Sequence, residues 1–520
     1  MKIKKIINLD TKTNYIILIA IILSVFLINS ISFKEGHNWG GDFSQYIAQA
    51  KSLNDGTIDK LLEDSTFRYE KSDSILLGPK LYPWGFPVLL VPIYHLFGLN
   101  IFAMKVFVNL FFLFSIATIY LILKGKINNI QNMLIIAIIA YNPFFFHYKE
   151  NILSDIPFLF FSLFSIFLIQ EFIIKKKFFL NDIFSYLLIG IFIFISYSIR
   201  VNGIILLPCL FLAQTVEYKY SIKEYSKKCL TVYKYSIPYI LFSVLILIMG
   251  MTLPRESTYT DYFALITLKE IFSNVIYYAK QLNHFFSTLI PNSGKIIYLI
   301  TIPFVILGLW EKTRTDYIYF AFSIFTVCIY ILSPGRQGLR YLFPIIPFYL
   351  YFLYTGINKI NFILSNKDIK IDLGLMIGIP IILIFIFTIS VDIYKQYNMK
   401  DNIIAGPFQK ENVELFKYIS LNTNKDSIII FYKPRVMTLF TNRKSAEITK
   451  FDKIKESGAD YVVCRKNSKV DLEIQKFAQR VNKIFVNNAF NLYRLNKKNK
   501  SLFPTNKAIF SCTLTFDSCN

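Results

Sequence analysis

The chain is 520 residues long, 54% apolar, 17% aromatic and only 18% charged, with a mean hydropathy of +0.45. Soluble domains carry about 25% charged residues, so this composition argues at once against a water-soluble globular enzyme, a disordered chain and a disulfide scaffold. The formal net charge of +23 is read through membrane topology and not as a nucleic-acid footprint, and six scattered cysteines without a C-x-x-C pair support neither a zinc nor a thioredoxin-type site.

A bilayer core about 30 Å thick takes roughly 20 apolar residues per helix. Tyr15–Phe33 has no charge, follows the basic start Met1-Lys-Ile-Lys-Lys5 and lacks a signal-peptide cleavage site, so it predicts an uncleaved first span. Further candidates follow at 104–123, 130–147, 156–174, 183–199, 201–216, 235–253, 296–310, 316–333, 341–357 and 373–392, making about eleven transmembrane helices. Lys and Arg are retained in short cytoplasmic loops. With the N-terminus inside, the inner segments 1–14, 124–129, 175–182, 217–234, 311–316 and 358–372 hold 19 Lys and Arg against 8 acids, whereas the outer loop 34–100 holds 6 against 8. This predicts a multi-pass protein of the cell (inner) membrane, with loop 34–100 and everything after about 393 outside the cytoplasm. The expected organisation is a transmembrane unit over 1–392, a small extracytoplasmic α/β domain over 393–496, and a disordered tail over 497–520 in which Cys512 and Cys519 are able to pair in an oxidising compartment.

Outside the spans, residues 43–53 have the helical spacing of a segment lying along the membrane surface, and Leu81–Gly98, apolar but broken by Pro83, Pro87 and Pro92, reads as re-entrant or interfacial. Asp42 follows Gly40-Gly41 at the exit of the first span. It is either a carboxylate general base or metal-binding residue, or the N-cap of the 43–53 helix in a capping box with Gln45. Next come Glu150 and Asp155, in Asn142-Pro-Phe-Phe-Phe-His-Tyr-Lys-Glu-Asn-Ile-Leu-Ser-Asp155-Ile-Pro157. Five residues apart on a helix they face different ways, so at most one is expected to point at a substrate, and Asp155 also suits a helix start. His147 is either an interfacial side chain or a substrate-pocket residue. Arg200 interrupts the apolar run 183–216, and Arg336 and Arg340, four apart, share a face if they lie on a helix. Their guanidinium forks match phosphate oxygens, whereas lipid-headgroup anchoring is the ordinary alternative for any one of them. These charges come from separate segments yet share the predicted outer face. In the tail, helix-like 411–420 and 471–480 alternate with strand-like 427–432, 461–464 and 491–495, with a turn at Lys433-Pro434-Arg435.

Taken in order, Asp42 with Tyr46, Tyr82-Pro-Trp-Gly-Phe-Pro87, Asn142-Pro143 with Leu153-Ser-Asp-Ile-Pro157, Arg200, and Arg340-Tyr-Leu-Phe-Pro-Ile-Ile-Pro347 resemble the GT-C superfamily of membrane glycosyltransferases. The similar branch is the family 39-like one of protein O-mannosyltransferases and lipid A aminoarabinose transferases. The resemblance covers roughly residues 10–360 and implies a GT-C-like polytopic helical fold and transfer of a sugar from a polyprenyl-phosphate donor at the outer face. It implies that Asp42 is catalytic and that the family's assisting acid is Asp155 or Glu150. Arg200, Arg336 and Arg340 are then the donor-phosphate candidates, and Tyr46, Tyr82 and His147 the substrate-pocket candidates. The chain has Gly-Asp-Phe where many relatives have adjacent Asp-Glu, which leaves the cofactor unknown. A divalent metal, held by Asp42 if by anything, stays open.

The chemistry agrees with this reading: a phosphate monoester leaves without being protonated, so one base for the acceptor hydroxyl and cations for the departing phosphate suffice. A single displacement inverts the anomeric carbon. The partners expected are the polyprenyl-phosphate sugar, a glycan, lipid or protein acceptor, and membrane lipids, with no nucleic acid. A transporter or flippase, or a polymerase or ligase, of lipid-linked surface glycans is the alternative.

Overall fold

The computed structural model describes residues 11–73, 78–221, 228–254, 266–333, 335–366, 372–398, 403–476 and 481–495. The tail after 495, with its predicted disorder and Cys512–Cys519 pairing, lies outside the described residues, as does the basic stretch before 11. Contacts divide the chain into two compact units, one of residues 1–70 and 75–413 and the other of 71–74 and 414–520.

The first unit is helical. It opens with α1 (Thr11–Ile31), α2 (Gly41–Asp55), α3 (Ile58–Lys71), α4 (Gly85–Phe97), α5 (Ile101–Leu123), α6 (Asn129–Ala140) and α7 (Pro143–Tyr148). It continues with α8 (Asp155–Leu168), which runs on as a π-helical turn to Ile174, then α9 (Asp182–Ile199), α10 (Leu206–Ser221) and α11 (Lys228–Thr252). Next are α12 (Leu268–Gln281), α13 (Ser293–Lys312), α14 (Tyr317–Ile331), a 3-10 segment Gly338–Ile345, α15 (Ile346–Ser365) and α16 (Leu373–Tyr397). Helices therefore stand at every predicted span position. Among the described residues seven are long and apolar enough to cross a membrane, at 12–31, 101–123, 155–174, 182–199, 233–252, 293–312 and 373–397, while those at 129–140, 201–217 and 317–331 are shorter.

The predicted span 130–147 is two helices. Asn142 accepts from the backbone N–H of Phe144 and Phe145 and so caps a new helix. Pro143 has no N–H with which to continue the old one. In loop 34–100 the surface helix appears as α2, and the proline-broken stretch folds as α4, at 13 residues too short to span. The closest backbone packing joins α13 to α15: a Cβ on Gly308 would collide with the Phe352 carbonyl, and one on Gly356 with that of Phe304, the small-residue contact typical of membrane helices.

The second unit is a five-stranded sheet with helices. After α17 (Lys410–Asn422), whose last turns belong to this unit, come β1 (Ile428–Ile430), α18 (Pro434–Thr441), β2 (Lys444–Ala446), α19 (Phe451–Glu456), β3 (Tyr461–Arg465), α20 (Lys469–Gln475), β4 (Val481–Val486) and β5 (Phe490–Leu495). The order is β2-β1-β3-β5-β4, with β1 parallel to β2 and β3, and β5 antiparallel to β3 and β4. The expected turn at 433–435 is instead the start of α18, because Pro434 at the first helical position loses no hydrogen bond.

Candidate active site

Four charge-bearing chain segments converge, together with Tyr82 from a fifth just before α4. The first leaves α1 and enters α2. Gly40, in extended backbone and without a side-chain cap, is the N-cap of α2, and its N–H donates to Asn38 Oδ1 at 2.8 Å. Asp42 thus stands inside the first turn, which rules out the capping-box role, although its charge still suits the positive end of the helix. Its Oδ1 accepts from the Tyr82 hydroxyl at 2.6 Å, and Oδ2 lies 3.7 Å from Arg340 Nη1. Its side chain keeps 34% exposure, so another molecule is able to reach it.

The second segment is the entry to α8. Asp155, buried at 3%, accepts from Arg200 Nη1 at 2.6 Å through Oδ1 and from the Tyr148 hydroxyl at 2.7 Å through Oδ2. The N-cap of α8 is Ser154, without a capping side chain. Its hydroxyl instead meets that of Tyr46 at 2.9 Å and lies 3.4 Å from Arg200 Nη1. The third segment is the end of α9, where Arg200 leaves helical geometry and lays its guanidinium 4.7 Å from the Tyr341 ring centre. The fourth is the 3-10 segment, which supplies Arg340. Its Nη1 stands 3.7 Å from Asp42 and 3.9 Å from Asp155, and its Nη2 donates to Gln337. The rings of Tyr46 and Tyr82 lie 4.6 Å apart, and burial pushes the Tyr46 hydroxyl well above its ordinary pKa, so it stays protonated.

Asp42, Asp155, Arg200, Arg340, Tyr46 and Tyr82 are therefore brought together, whereas three predicted residues are not in this cluster. Glu150 accepts from Lys105 Nζ at 2.6 Å and Lys149 Nζ at 2.7 Å. Arg336 donates to Asn274 and Ser273 of α12. It does not share a helical face with Arg340, because Gly338, at φ +68, interrupts the segment between them. His147 Nε2 lies 3.2 Å from Asp392 and its side chain is 62% exposed. Sequence reasoning missed Tyr148, Ser154 and Tyr341. Each is within seven residues of a candidate charge, and a hydroxyl or ring flanking such a charge was the available signal.

His37 is buried, its ring stacked on Phe43 with centres 4.0 Å apart. Its Nε2 accepts from the Ile152 N–H at 3.1 Å, which fixes Nδ1 as the donor to the Asn38 carbonyl. Burial, with a smaller push from Lys105, lowers its pKa to about 4. The unfolded chain takes up a proton between about pH 6.5 and 4 that the folded chain refuses, so this stability is complete above 6.5 and lost as pH falls through 4. The loss should reach about 3 kcal/mol. Thermal unfolding of wild type and His37→Gln from pH 7 to pH 4 should show the extra acid sensitivity only in wild type, and equal slopes would contradict it.

Among the described residues no group of three or more His, Cys, Asp or Glu is placed to hold a metal ion. The neighbours of Asp42 include a tyrosine hydroxyl and a guanidinium, groups that suit an anion.

Residues 13–263 match the family described as dolichyl-phosphate-mannose-protein mannosyltransferase. No curated protein matches the sequence. Among solved structures, ArnT from Cupriavidus metallidurans bound to undecaprenyl phosphate superposes with a TM-score of 0.52 at 8% identity, over 93% of this chain and 98% of that one. The archaeal oligosaccharyltransferase AglB from Archaeoglobus fulgidus, in complex with an inhibitory peptide and a dolichol-phosphate, gives 0.52 at 10% identity, over 96% and 76%. The Archaeoglobus fulgidus oligosaccharyltransferase in complex with Zn and sulfate gives 0.51 at 10%, over 86% and 68%. The family match thus lies over residues 13–263, and over most of its length the chain has the fold seen in ArnT and in the archaeal oligosaccharyltransferase.

Proposed function

We propose that the protein transfers a sugar from a polyprenyl-phosphate carrier to an acceptor hydroxyl at the extracytoplasmic face of the membrane, with inversion at the anomeric carbon. The observation that carries this reading is the convergence of a reachable carboxylate, Asp42, and a buried one, Asp155, on a single guanidinium nitrogen of Arg340. Asp42 takes the proton of the acceptor hydroxyl as the acceptor oxygen bonds to the anomeric carbon. The bond from that carbon to the phosphate oxygen breaks, and its electron pair leaves with the polyprenyl phosphate, which needs no proton. Arg340 meets the charge that grows on the departing phosphate. Asp155, neutralised by Arg200, orients both arginines and takes no part in proton transfer. The family match and the two relatives that hold a polyprenyl phosphate in their solved structures support the donor class. The charge partition of the loops supports the face, and supports an extracytoplasmic second unit as well.

Arg340 provides the test. Lys keeps the charge and loses the fork, so Arg340→Lys should weaken donor binding less than Arg340→Ala, and kcat should fall with affinity if the contact tightens in the transition state. The Ala variant should lose about 1.5–3 kcal/mol of transition-state stabilisation, the range of a hydrogen bond to a charged group. Donor affinity and specific activity on purified, monodisperse protein read both. Unchanged values for Arg340→Ala would remove the phosphate contact.

A further inference from the structure

Between α1 and α2 the chain is held by charges the reaction does not use. Lys105, in the second turn of α5 and fully buried, donates through Nζ to the Lys34 carbonyl at 2.8 Å and to Glu150 Oε2 at 2.6 Å. Lys149, 3% exposed, donates to the Ser32 carbonyl at 2.9 Å and to Glu150 Oε1 at 2.7 Å. That same Oε1 accepts from the Lys34 N–H at 3.1 Å. Burial by itself would raise the Glu150 carboxyl, but Lys149 and Lys105 hold it below the usual carboxylate range, so it is a charged acceptor with both oxygens engaged. A few residues on, the two strands of chain are joined again where the Ile152 N–H meets His37 Nε2. Asp42 follows one strand and Asp155 the other.

We propose that Lys105, Glu150 and Lys149 form a buried ionic clasp that sets the spacing of Asp42 and Asp155 across Arg340, so that Glu150 is a positioning residue and not the second acid of the reaction. Two facts separate this from a general stabilising role. The clasp grips backbone atoms of residues 32–34, the lead-in to Asp42. Each oxygen of Glu150 is also paired with a lysine inside the clasp, so taking a proton there would break a buried ion pair. A buried charge pair adds little net stability over an apolar replacement, and a displacement of about 1 Å at reacting groups costs on the order of 100-fold in rate.

The inference rests on the glycosyl-transfer reading for its kinetics, and on amide exchange for a part that needs no substrate. In the full chain in detergent, Glu150→Gln should speed hydrogen exchange in residues 33–46 and 149–156 and leave 293–312 unchanged. With donor and acceptor, kcat should fall about 10- to 100-fold, donor KM should stay within about threefold, and the pH–rate profile should keep its shape. Added to Asp42→Asn it should lower kcat no further, because both act through one group. Glu150→Asp keeps the charge but not the reach; it should show a smaller loss, and it replaces Gln if that chain does not fold. A changed shape of the pH–rate profile, a multiplicative double variant, or unchanged kcat would each overturn the positioning role. A wild type without transfer activity defeats the glycosyl-transfer reading alone. Exchange then decides whether the clasp exists, faster exchange supporting it and unchanged exchange overturning it.

Discussion

Asp42→Asn should lower kcat by about 100-fold or more while leaving the fold and donor affinity near those of wild type. Positioned general bases contribute factors of about 100 to 10,000, and Asn retains an oxygen for the Tyr82 hydroxyl while losing the ability to take a proton. Structural damage is not expected, because α2 is capped by Gly40 without any side chain and the Asp42–Arg340 contact, at 3.7 Å, is long for a direct hydrogen bond. Asp42→Ala should behave similarly in kcat, since the missing function is the proton acceptor. A monodisperse Asp42→Asn protein with near-normal turnover would refute the assignment.

Asp155→Ala should have the largest effect on stability. It strips Arg200, whose side chain is 14% exposed, of its 2.6 Å partner and leaves the buried Tyr148 hydroxyl without its acceptor. Breaking a buried pair from one side costs about 3–5 kcal/mol, because the remaining charge stays desolvated. Arg200→Met in the same chain should recover part of that loss, giving a coupling energy that two independent sites would not show. Denaturant unfolding in detergent measures both. Asp155→Ala with wild-type stability would mean that the pair is not desolvated. Activity should fall as well, since Arg340 loses the anion lying 3.9 Å from its Nη1.

The residues of the cluster stand out in the sequence because charge is costly next to lipid: Asp42, Asp155, Arg200 and Arg340 each interrupt or border an apolar run. Helix positions are equally legible, since bilayer thickness fixes their length. Pairing between charges is not legible, because it depends on turns shorter than a helical repeat. Glu150 and Asp155 look alike in sequence, yet the backbone turn after Lys149 sends one to two lysines and the other to two arginines. Arg336 and Arg340 look like a helical pair until the positive φ of Gly338 separates them. Lys105 reads as a charge near a span end, and only the folded chain brings the Lys34 carbonyl to it. In the second unit α18 was hidden by the ambiguity of Lys433-Pro434, since proline both ends and begins helices.

The central claim is the transfer of a sugar from a lipid monophosphate. It is tested most directly by reconstituting the chain in vesicles with a panel of radiolabelled polyprenyl-phosphate sugars, each offered with the host's own envelope fraction as acceptor, and following the label and its anomeric configuration. Label should leave one of these donors, release free polyprenyl phosphate, and appear on the acceptor with inverted configuration. Nucleotide sugars should give no transfer, and Asp42→Asn should lower transfer by about 100-fold or more. Transfer from a nucleotide sugar, retention of configuration, or movement of an intact lipid-linked glycan across the bilayer without bond cleavage would contradict it.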